Sequence, residues 1–398
     1  MDITIYPGTL SGSLNAIPSK SQAHRLLICA AFADRETALL CPETNRDIEA
    51  TADCLRALGA EIAHTAEGYV VTPISSPPES AVLPCHDSGS TLRFLLPVAG
   101  ALGVDTTFRL EGRLPERPLS PLWEEMERMG CQLSRPTPQT IRCQGRLKAG
   151  EYTIDGSVSS QFITGLLLAA ALIPGVSHIS LTGKVESKPY ITMTQQAMAL
   201  LGCDTMDFTV HGGHPFHSPG TLTVEGDWSG GAFFFGANAL GSSVAVNNLS
   251  PDSPQGDRAV MELLPRLEKR AIISAADVPD LIPILAVVAA CKQGAVFTDI
   301  QRLRLKESDR VASIVAMLTA LGGKAEANEN TLTVYGTGLI GGTVDSVRDH
   351  RIAMAAAIAA TACSQPVTIL GAECSEKSYP QFWAEYARLG GRYEQYLR

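Results

Sequence analysis

One motif constrains this chain more than any other: a small polar cluster followed at once by a helix-length run that is apolar all round. It occurs at Ser19-Lys20-Ser21, Ser88-Gly89-Ser90, Ser159-Ser160-Gln161, Trp228-Ser229-Gly230, Val278-Pro279-Asp280 and Arg348-Asp349-His350. With residues 21, 90, 159, 229, 280 and 349 as marks, the spacings are 69, 69, 70, 51 and 69. A helix without a polar face has to be buried on every side. A fixed period of this kind marks one supersecondary unit used again and again. The reading is therefore of apolar helices packed together as a core, three to a domain, with sheets and amphipathic helices outside them.

A second element keeps the same period. Amphipathic helices end in a glycine and run into a strand at Leu58-Gly59-Ala60, Met129-Gly130-Cys131, Leu201-Gly202-Cys203, Leu321-Gly322-Gly323 and Leu389-Gly390-Gly391. Glycine suits the left-handed position that closes a helix. The interval from Gly202 to Gly322 spans two periods, so one copy is degenerate; it is placed at Leu264–Ala271, with Glu268 standing in for the glycine. Two short strands follow most of these points. The fold class that results is α/β (α+β), six βαβαββ repeats around buried helices, three per domain. The first domain is assigned to residues 19–225 and the second to 1–18 with 226–398, with the hinge at Gly226-Asp227 and the strand Met1–Tyr6 left over to complete the second half.

Composition removes several classes of function. The net charge is −9, which argues against a nucleic-acid binder. Charged residues are 18%, too few for a disordered chain. Of the 32 basic residues, 23 are Arg, whose planar fork suits phosphate and carboxylate. The longest apolar stretches, near Phe162–Val176 and Leu281–Cys291, are too short for a membrane span. The N-terminus has no basic stretch ahead of an apolar run, so no signal peptide is read. Ten scattered Cys without a Cys-x-x-Cys pair fit a reduced cytoplasmic protein.

Chemistry concentrates at the helix starts. Exposed N–H groups and the helix dipole make each one an anion site by construction, although a Ser or Asp there also serves simply as a cap. Lys20 opposes the dipole unless an anion compensates it, and Arg25, Arg93 and Arg351 add further cations. Three more clusters supply charge: Arg113-Leu114-Pro115-Glu116-Arg117-Pro118, Leu303 through Arg310 with Ser308 as a possible cap, and Glu376-Lys377-Ser378-Tyr379-Pro380. Together they suit two polyanionic ligands.

These residues, in order along the whole chain, resemble the enolpyruvyl transferase family. The likeness is carried by Lys20-Ser21 with Arg25, Asp87 through Arg93, Arg113 through Pro118, and Gly156 through Phe162. It continues in Ser187-Lys188-Pro189-Tyr190, Val278-Pro279-Asp280, Lys306-Glu307-Ser308-Asp309-Arg310, Asp349-His350-Arg351 and Lys377. The resemblance implies a two-domain enolpyruvyl transferase fold with the active site in the interdomain cleft. It implies transfer of the enolpyruvyl group of phosphoenolpyruvate to the 5-hydroxyl of 3-phosphoshikimate, with release of phosphate, in the shikimate pathway to aromatic amino acids. Lys20, Ser21, Arg25, Ser159, Ser160, Gln161, Ser187, Tyr190, Asp280 and Lys306 are then expected to hold phosphoshikimate. Lys20, Gly89, Arg113, Gln161, Arg310, Arg351 and Lys377 are expected to hold phosphoenolpyruvate. Asp280 takes the proton of the attacking hydroxyl, and Glu307, with Lys20, protonates the methylene carbon to give a tetrahedral ketal. No metal and no cofactor is expected. The expected partners are the two small substrates, without nucleic acid or membrane, and the chain is expected to be a cytoplasmic monomer whose domains close on phosphoshikimate.

The chain departs from the family at Ser19, Arg302 and Asp87-Ser88, where Gly, Asn and Asn-Ala are usual. A UDP-N-acetylglucosamine enolpyruvyl transferase is the alternative within the family. Its loop Cys is missing from Gly112 through Arg117. A catalytically silent anion-binding protein is the alternative outside it, opposed by Asp280, Glu307 and Lys20. Two decoys are set aside. His211, His214 and His217 lie among turn residues without nearby ligands. Gly336 through Gly341 precedes a strand rather than a helix, which reads as a hairpin and not a dinucleotide loop.

Overall fold

Helices that are apolar on every face alternate along the chain with helices that are not. The computed structural model describes residues 1–214 and 216–396. The apolar set is α1 (Lys20–Ala31), α3 (Gly89–Leu102), α5 (Ser160–Leu172), α7 (Trp228–Ala239), α9 (Ile282–Cys291) and α11 (His350–Ala359). The intervening set is α2 (Arg46–Ala57), α4 (Leu122–Arg128), α6 (Lys188–Leu200), α8 (Val260–Arg266), α10 (Arg310–Ala320) and α12 (Phe382–Arg388). Every residue from Ile282 to Ala290 and from His350 to Ala359 is buried, as full burial of an all-apolar helix requires.

The chain divides into two compact units. One is Pro18–Glu225; the other, here the terminal unit, joins Met1–Ile17 to Gly226–Arg398. Each has its own apolar core, built around α1, α3 and α5 in the first and α7, α9 and α11 in the terminal unit. In every repeat a parallel pair of strands flanks an apolar helix, and in the four-stranded sheets two antiparallel strands complete the layer. Asp2–Tyr6 fills such a place, between Val367–Leu370 and Arg392–Tyr396. Ser11–Asn15 runs parallel to Ser243–Asn247, and Thr221–Thr223 supplies the first strand beside Thr37–Leu40.

The repeats are not all complete. The third keeps a three-stranded sheet, and the fourth has only the two strands Ser243–Asn247 and Ser11–Asn15. After α8 the chain enters Ala271–Ser274, which opens the next repeat's sheet; the missing hairpin accounts for the spacing of 51 rather than 69. Gly59, Gly130, Gly202, Gly322 and Gly390 all have positive φ, between 79° and 117°, as a left-handed helix stop demands. Glu268 does not take over that role. It is not among the non-glycine residues with positive φ, and α8 instead ends at Pro265-Arg266 with Leu267 N–H bonded to Leu264 O. Gly336 through Gly341 forms no hairpin: it links Thr331–Tyr335 and Gly342–Asp345, which belong to different sheets. Among the described residues no helix is long and apolar enough to cross a membrane.

Candidate active site

Side-chain caps occupy five of the six apolar-helix starts: Ser19, Ser88, Ser159, Asp227 and Asp349 each accept a first-turn N–H. Capping is thus a real part of what these residues do. The exception is α9, whose start has no side-chain cap, and Asp280 beside it faces cations instead.

In the Pro18–Glu225 unit the buried arginines Arg25 and Arg93 bond neutral oxygens. Arg25 is 1% exposed. Its Nε donates to Thr194 Oγ1 (2.8 Å), Nη1 to Ser21 O (2.6 Å), and Nη2 to Tyr190 O (3.1 Å) and Thr164 Oγ1 (3.3 Å). One guanidinium therefore ties together α1, α5 and α6, over the Phe94 ring. Burial pushes its pKa down to about 10. Gln161, in the first turn of α5, accepts from Arg93 Nη1 (3.0 Å) and donates to Ser90 Oγ (2.9 Å), so it joins the starts of α3 and α5. Arg93 Nη2 reaches Pro118 O, which secures the arginine loop to the same place. A Cβ on Gly89 would lie 2.6 Å from Arg117 Nη1 and 2.9 Å from Arg93 Nη1. Two guanidinium groups thus stand directly over the start of α3. Ser159 and Ser160 lie at the start of α5, and Ser187, left-handed at φ 55°, precedes α6 and Tyr190.

Lys20 pairs with Asp47 in the first turn of α2, at 2.9 Å. The anion that offsets the helix dipole at Lys20 is thus supplied by the chain itself. Arg113 immediately precedes the one-turn 3-10 helix Leu114–Glu116, its side chain 43% exposed and 3.6 Å from Glu116.

The terminal unit is different in kind. Arg310, the first residue of α10 and 1% exposed, binds three carboxylates: Asp280 (2.6 Å), Glu307 (2.8 Å) and Asp349 (2.8 Å). Arg351 Nη2 lies 3.2 Å from the other oxygen of Asp280, and Lys306 Nζ 3.9 Å from the first. Ser308 does not cap α10; Asp309 does, while Ser308 Oγ donates to Asp349. Burial pushes Asp280 up, but Arg351, Lys306 and Arg310 together outweigh it and hold the carboxyl well below the usual range. Burial pushes Lys306 down to about 8, with Arg302 and Arg310 adding to the effect and Asp280 opposing it. Lys377 is 8% exposed at the end of the 3-10 helix Ala372–Lys377. The structure thus gathers Asp280, Lys306, Glu307, Arg310 and Arg351 into one charged cluster.

Comparison with known proteins decides the family. The profile of EPSP synthase (3-phosphoshikimate 1-carboxyvinyltransferase) matches residues 5–277 and 266–386. A 3-phosphoshikimate 1-carboxyvinyltransferase of Clostridium beijerinckii is 37% identical over 99% of each chain. One from Clostridium kluyveri is 35% identical over 99% of this chain and 98% of its own. The chain belongs to the EPSP synthase family. In fold it is also similar to EPSP synthase from Acinetobacter baumannii (TM-score 0.80, 23% identity, 99% and 100% covered). The enolpyruvyl transferase NikO from Streptomyces tendae has the same fold (TM-score 0.79, 19% identity, 99% and 98% covered).

Four residues of this EPSP synthase family member gain a place near the candidate groups that sequence reasoning did not give them. Asp47 and Asp349 lie far along the chain from Lys20 and Arg310, and only the fold brings each pair together. Arg93 and Arg117 were visible as basic positions in motifs, but their convergence on Gly89 is a tertiary fact. Among the described residues no group of three or more His, Cys, Asp and Glu is arranged to hold a metal. Of the histidine decoy, His217 bonds Asp34 (3.0 Å), and Pro215 lies outside the described residues.

Proposed function

We propose that this chain transfers the enolpyruvyl group of phosphoenolpyruvate to the 5-hydroxyl of 3-phosphoshikimate and releases phosphate. The observation that carries the reading is the Arg310 cluster. It holds a candidate base, a candidate acid and three cations in one place, in a chain of the EPSP synthase family.

Residues of both units serve the reaction. Lys20, Ser21, Arg25, Ser159, Ser160, Gln161, Ser187, Tyr190, Asp280 and Lys306 hold phosphoshikimate. Lys20, Gly89, Arg113, Gln161, Arg310, Arg351 and Lys377 hold phosphoenolpyruvate. Before substrate arrives, Asp280 is a poor base, because Arg310 and Arg351 neutralise it. An incoming phosphate and carboxylate compete for those same guanidinium groups. As the cations turn toward substrate, Asp280 loses counter-charge and its proton affinity rises. Asp280 then takes the hydroxyl proton while the oxygen attacks the C2 carbon of phosphoenolpyruvate. Glu307, which shares Arg310, delivers a proton to the methylene carbon. The tetrahedral ketal next loses that proton and phosphate, with the cations stabilising the leaving group.

The reading extends to a cytoplasmic monomer acting on small molecules, in keeping with ten free cysteines. Light scattering at twice 42.3 kDa overturns the monomer. The reaction is tested by phosphate release. It is expected with phosphoenolpyruvate and 3-phosphoshikimate and not with UDP-N-acetylglucosamine; the reverse pattern overturns the assignment.

A further inference from the structure

One line of hydrogen bonds in the Pro18–Glu225 unit is buried from end to end and has no part in the chemistry proposed above. It starts at His24 on α1. His24 Nδ1 lies 2.7 Å from Thr51 Oγ1 on α2, and Thr51 Oγ1 lies 2.7 Å from Thr91 Oγ1 on α3. Thr91 Oγ1 donates to Oγ of Ser88, the cap of α3, again at 2.7 Å. His24, Thr51 and Thr91 are fully buried, and Ser88 is 1% exposed.

The line runs in one direction, because a hydroxyl has a single hydrogen to give. Thr91 gives its own to Ser88, with Asp47 O a distant second acceptor at 3.5 Å. Thr91 must therefore accept from Thr51, and Thr51 in turn must accept from His24. The imidazole then carries its proton on Nδ1. Nε2 is buried without a hydrogen-bond partner among the described residues, so a proton there would be stranded. Burial keeps the ring neutral, pushing its pKa down to about 3, with Asp47 opposing the shift and Lys20 and Arg25 adding to it.

Both ends of the line lie beside candidate substrate residues. His24 is one turn into α1 from Lys20, and Thr51 is one turn into α2 from Asp47. The His24–Thr51 bond thus repeats the Lys20–Asp47 pair one layer deeper. At the far end Ser88 precedes Gly89, the first residue of α3. The His24 ring also stands perpendicular to Phe94 of α3, with the centroids 6.2 Å apart.

We propose that His24 is a positioning residue for enolpyruvyl transfer: through Thr51, Thr91 and Ser88 it sets the start of α3, and with it Gly89, against the Lys20 end of α1. The proposal rests on the reading of Gly89 as a phosphoenolpyruvate residue. The phosphoshikimate residues on α5 and α6 have a support of their own, since Arg25 bonds Thr164, Thr194 and Tyr190 O. Breaking the line should therefore weaken one substrate and spare the other.

Two measurements test it. In the first, Thr51→Val keeps the shape and cuts the line in the middle, while His24→Leu removes the donor at its source. Each is expected to raise KM for phosphoenolpyruvate about tenfold, with KM for phosphoshikimate and kcat changing less than about twofold. His24→Asn offers an amide N–H near the place of the Nδ1 proton and is expected to restore most of the affinity. The double variant, His24→Leu with Thr51→Val, should lose no more than the worse single one, because the two act in one line. Equal rises for both substrates, no rise, or an Asn variant no better than Leu overturns the proposal. A purely packing role predicts additive losses of thermal stability without substrate preference.

The second measurement needs no variant and no turnover. Nitrogen-15 NMR of histidine-labelled parent is expected to show one ring that keeps its proton on Nδ1 from about pH 5 to 9 without titrating. Phosphoenolpyruvate is expected to move that N–H signal, and phosphoshikimate to leave it nearly in place, because the line ends at the α3 start. A proton on Nε2, a signal that both ligands move alike, or one that neither moves overturns the proposal. If the parent releases no phosphate, the reaction reading fails, while this measurement still decides the role of His24.

Discussion

Two buried arginines of each unit are held in different ways. In Pro18–Glu225 the guanidinium groups of Arg25 and Arg93 are held by hydroxyls, carbonyls and an amide. In the terminal unit Arg310 and Arg351 are held by carboxylates. A cation on neutral oxygens keeps its full charge and presents it to a ligand. A cation on carboxylates is already balanced, and a ligand that takes it releases an anion whose proton affinity then changes. The first arrangement is a receptor; the second couples binding to proton transfer. The contrast follows from residue choice at the helix starts, with Ser and Thr clustered in one unit and Asp and Glu in the other.

The largest effects should break the terminal unit's side of this contrast. Glu307→Gln keeps size and hydrogen bonding but carries no titratable proton. Turnover is expected to fall by roughly 10²–10⁴ while both ligands still bind. Exchange of the methylene hydrogens of phosphoenolpyruvate with deuterated water should vanish with it. Turnover within a few fold of the parent moves the acid role to Lys20.

Removing the arginines themselves compares the two environments by stability. Arg310→Ala leaves Asp280, Glu307 and Asp349 without their shared counter-ion, and loss of one partner from a buried pair costs about 3–5 kcal/mol. Arg25→Ala leaves only neutral acceptors unmet, at about 1–3 kcal/mol. Urea titration of the two variants reads the difference; equal losses erase the contrast. On the receptor side, Gly89→Ala places a methyl against Arg117 and Arg93. Displacing one charged donor is expected to raise KM for phosphoenolpyruvate roughly 10- to 100-fold, with KM for phosphoshikimate much less affected. Equal increases for the two substrates remove Gly89 from the phosphoenolpyruvate site.

What the chain reveals before folding follows the same physics. The six apolar helices were legible because a helix without a polar face has only one place to go. The five stop glycines were legible because a left-handed residue admits few side chains. That Asp47 supplies an anion beside Lys20 was not legible, because it is 27 residues away and no local pattern couples them. The grip of Asp280 and Asp349 on Arg310 was hidden for the same reason, since they lie 30 and 39 residues from it; Glu307, three residues away, is the local part of that grip. The arginine loop showed two cations without showing that Arg117 is the buried one and Arg113 the exposed one. Periodicity reports burial, which is local in sequence; ion pairing across helices is not.

The smallest expected effect is on pH dependence, and it sharpens the contrast because the terminal unit contains the lysine that titrates early. Burial brings Lys306 down to about 8 from 10.5. Below about pH 8 folded and unfolded chains both hold that proton, and the cost of burying a charged amine is fully present. Between about 8 and 10.5 the unfolded chain holds more protons than the folded one, so this group makes the protein more stable as pH rises. Binding runs the other way, since an uncharged Lys306 no longer holds phosphoshikimate. From pH 8 to 9 the charged fraction falls about fivefold, which sets the largest rise in KM for phosphoshikimate that this group can produce. Lys306→Arg stays charged throughout that range and is expected to flatten the rise. A phosphate-release assay across pH 7 to 9.5 with both proteins decides it: if KM climbs equally in the two, the titrating group is not Lys306, and the early loss of charge in this cluster has another source.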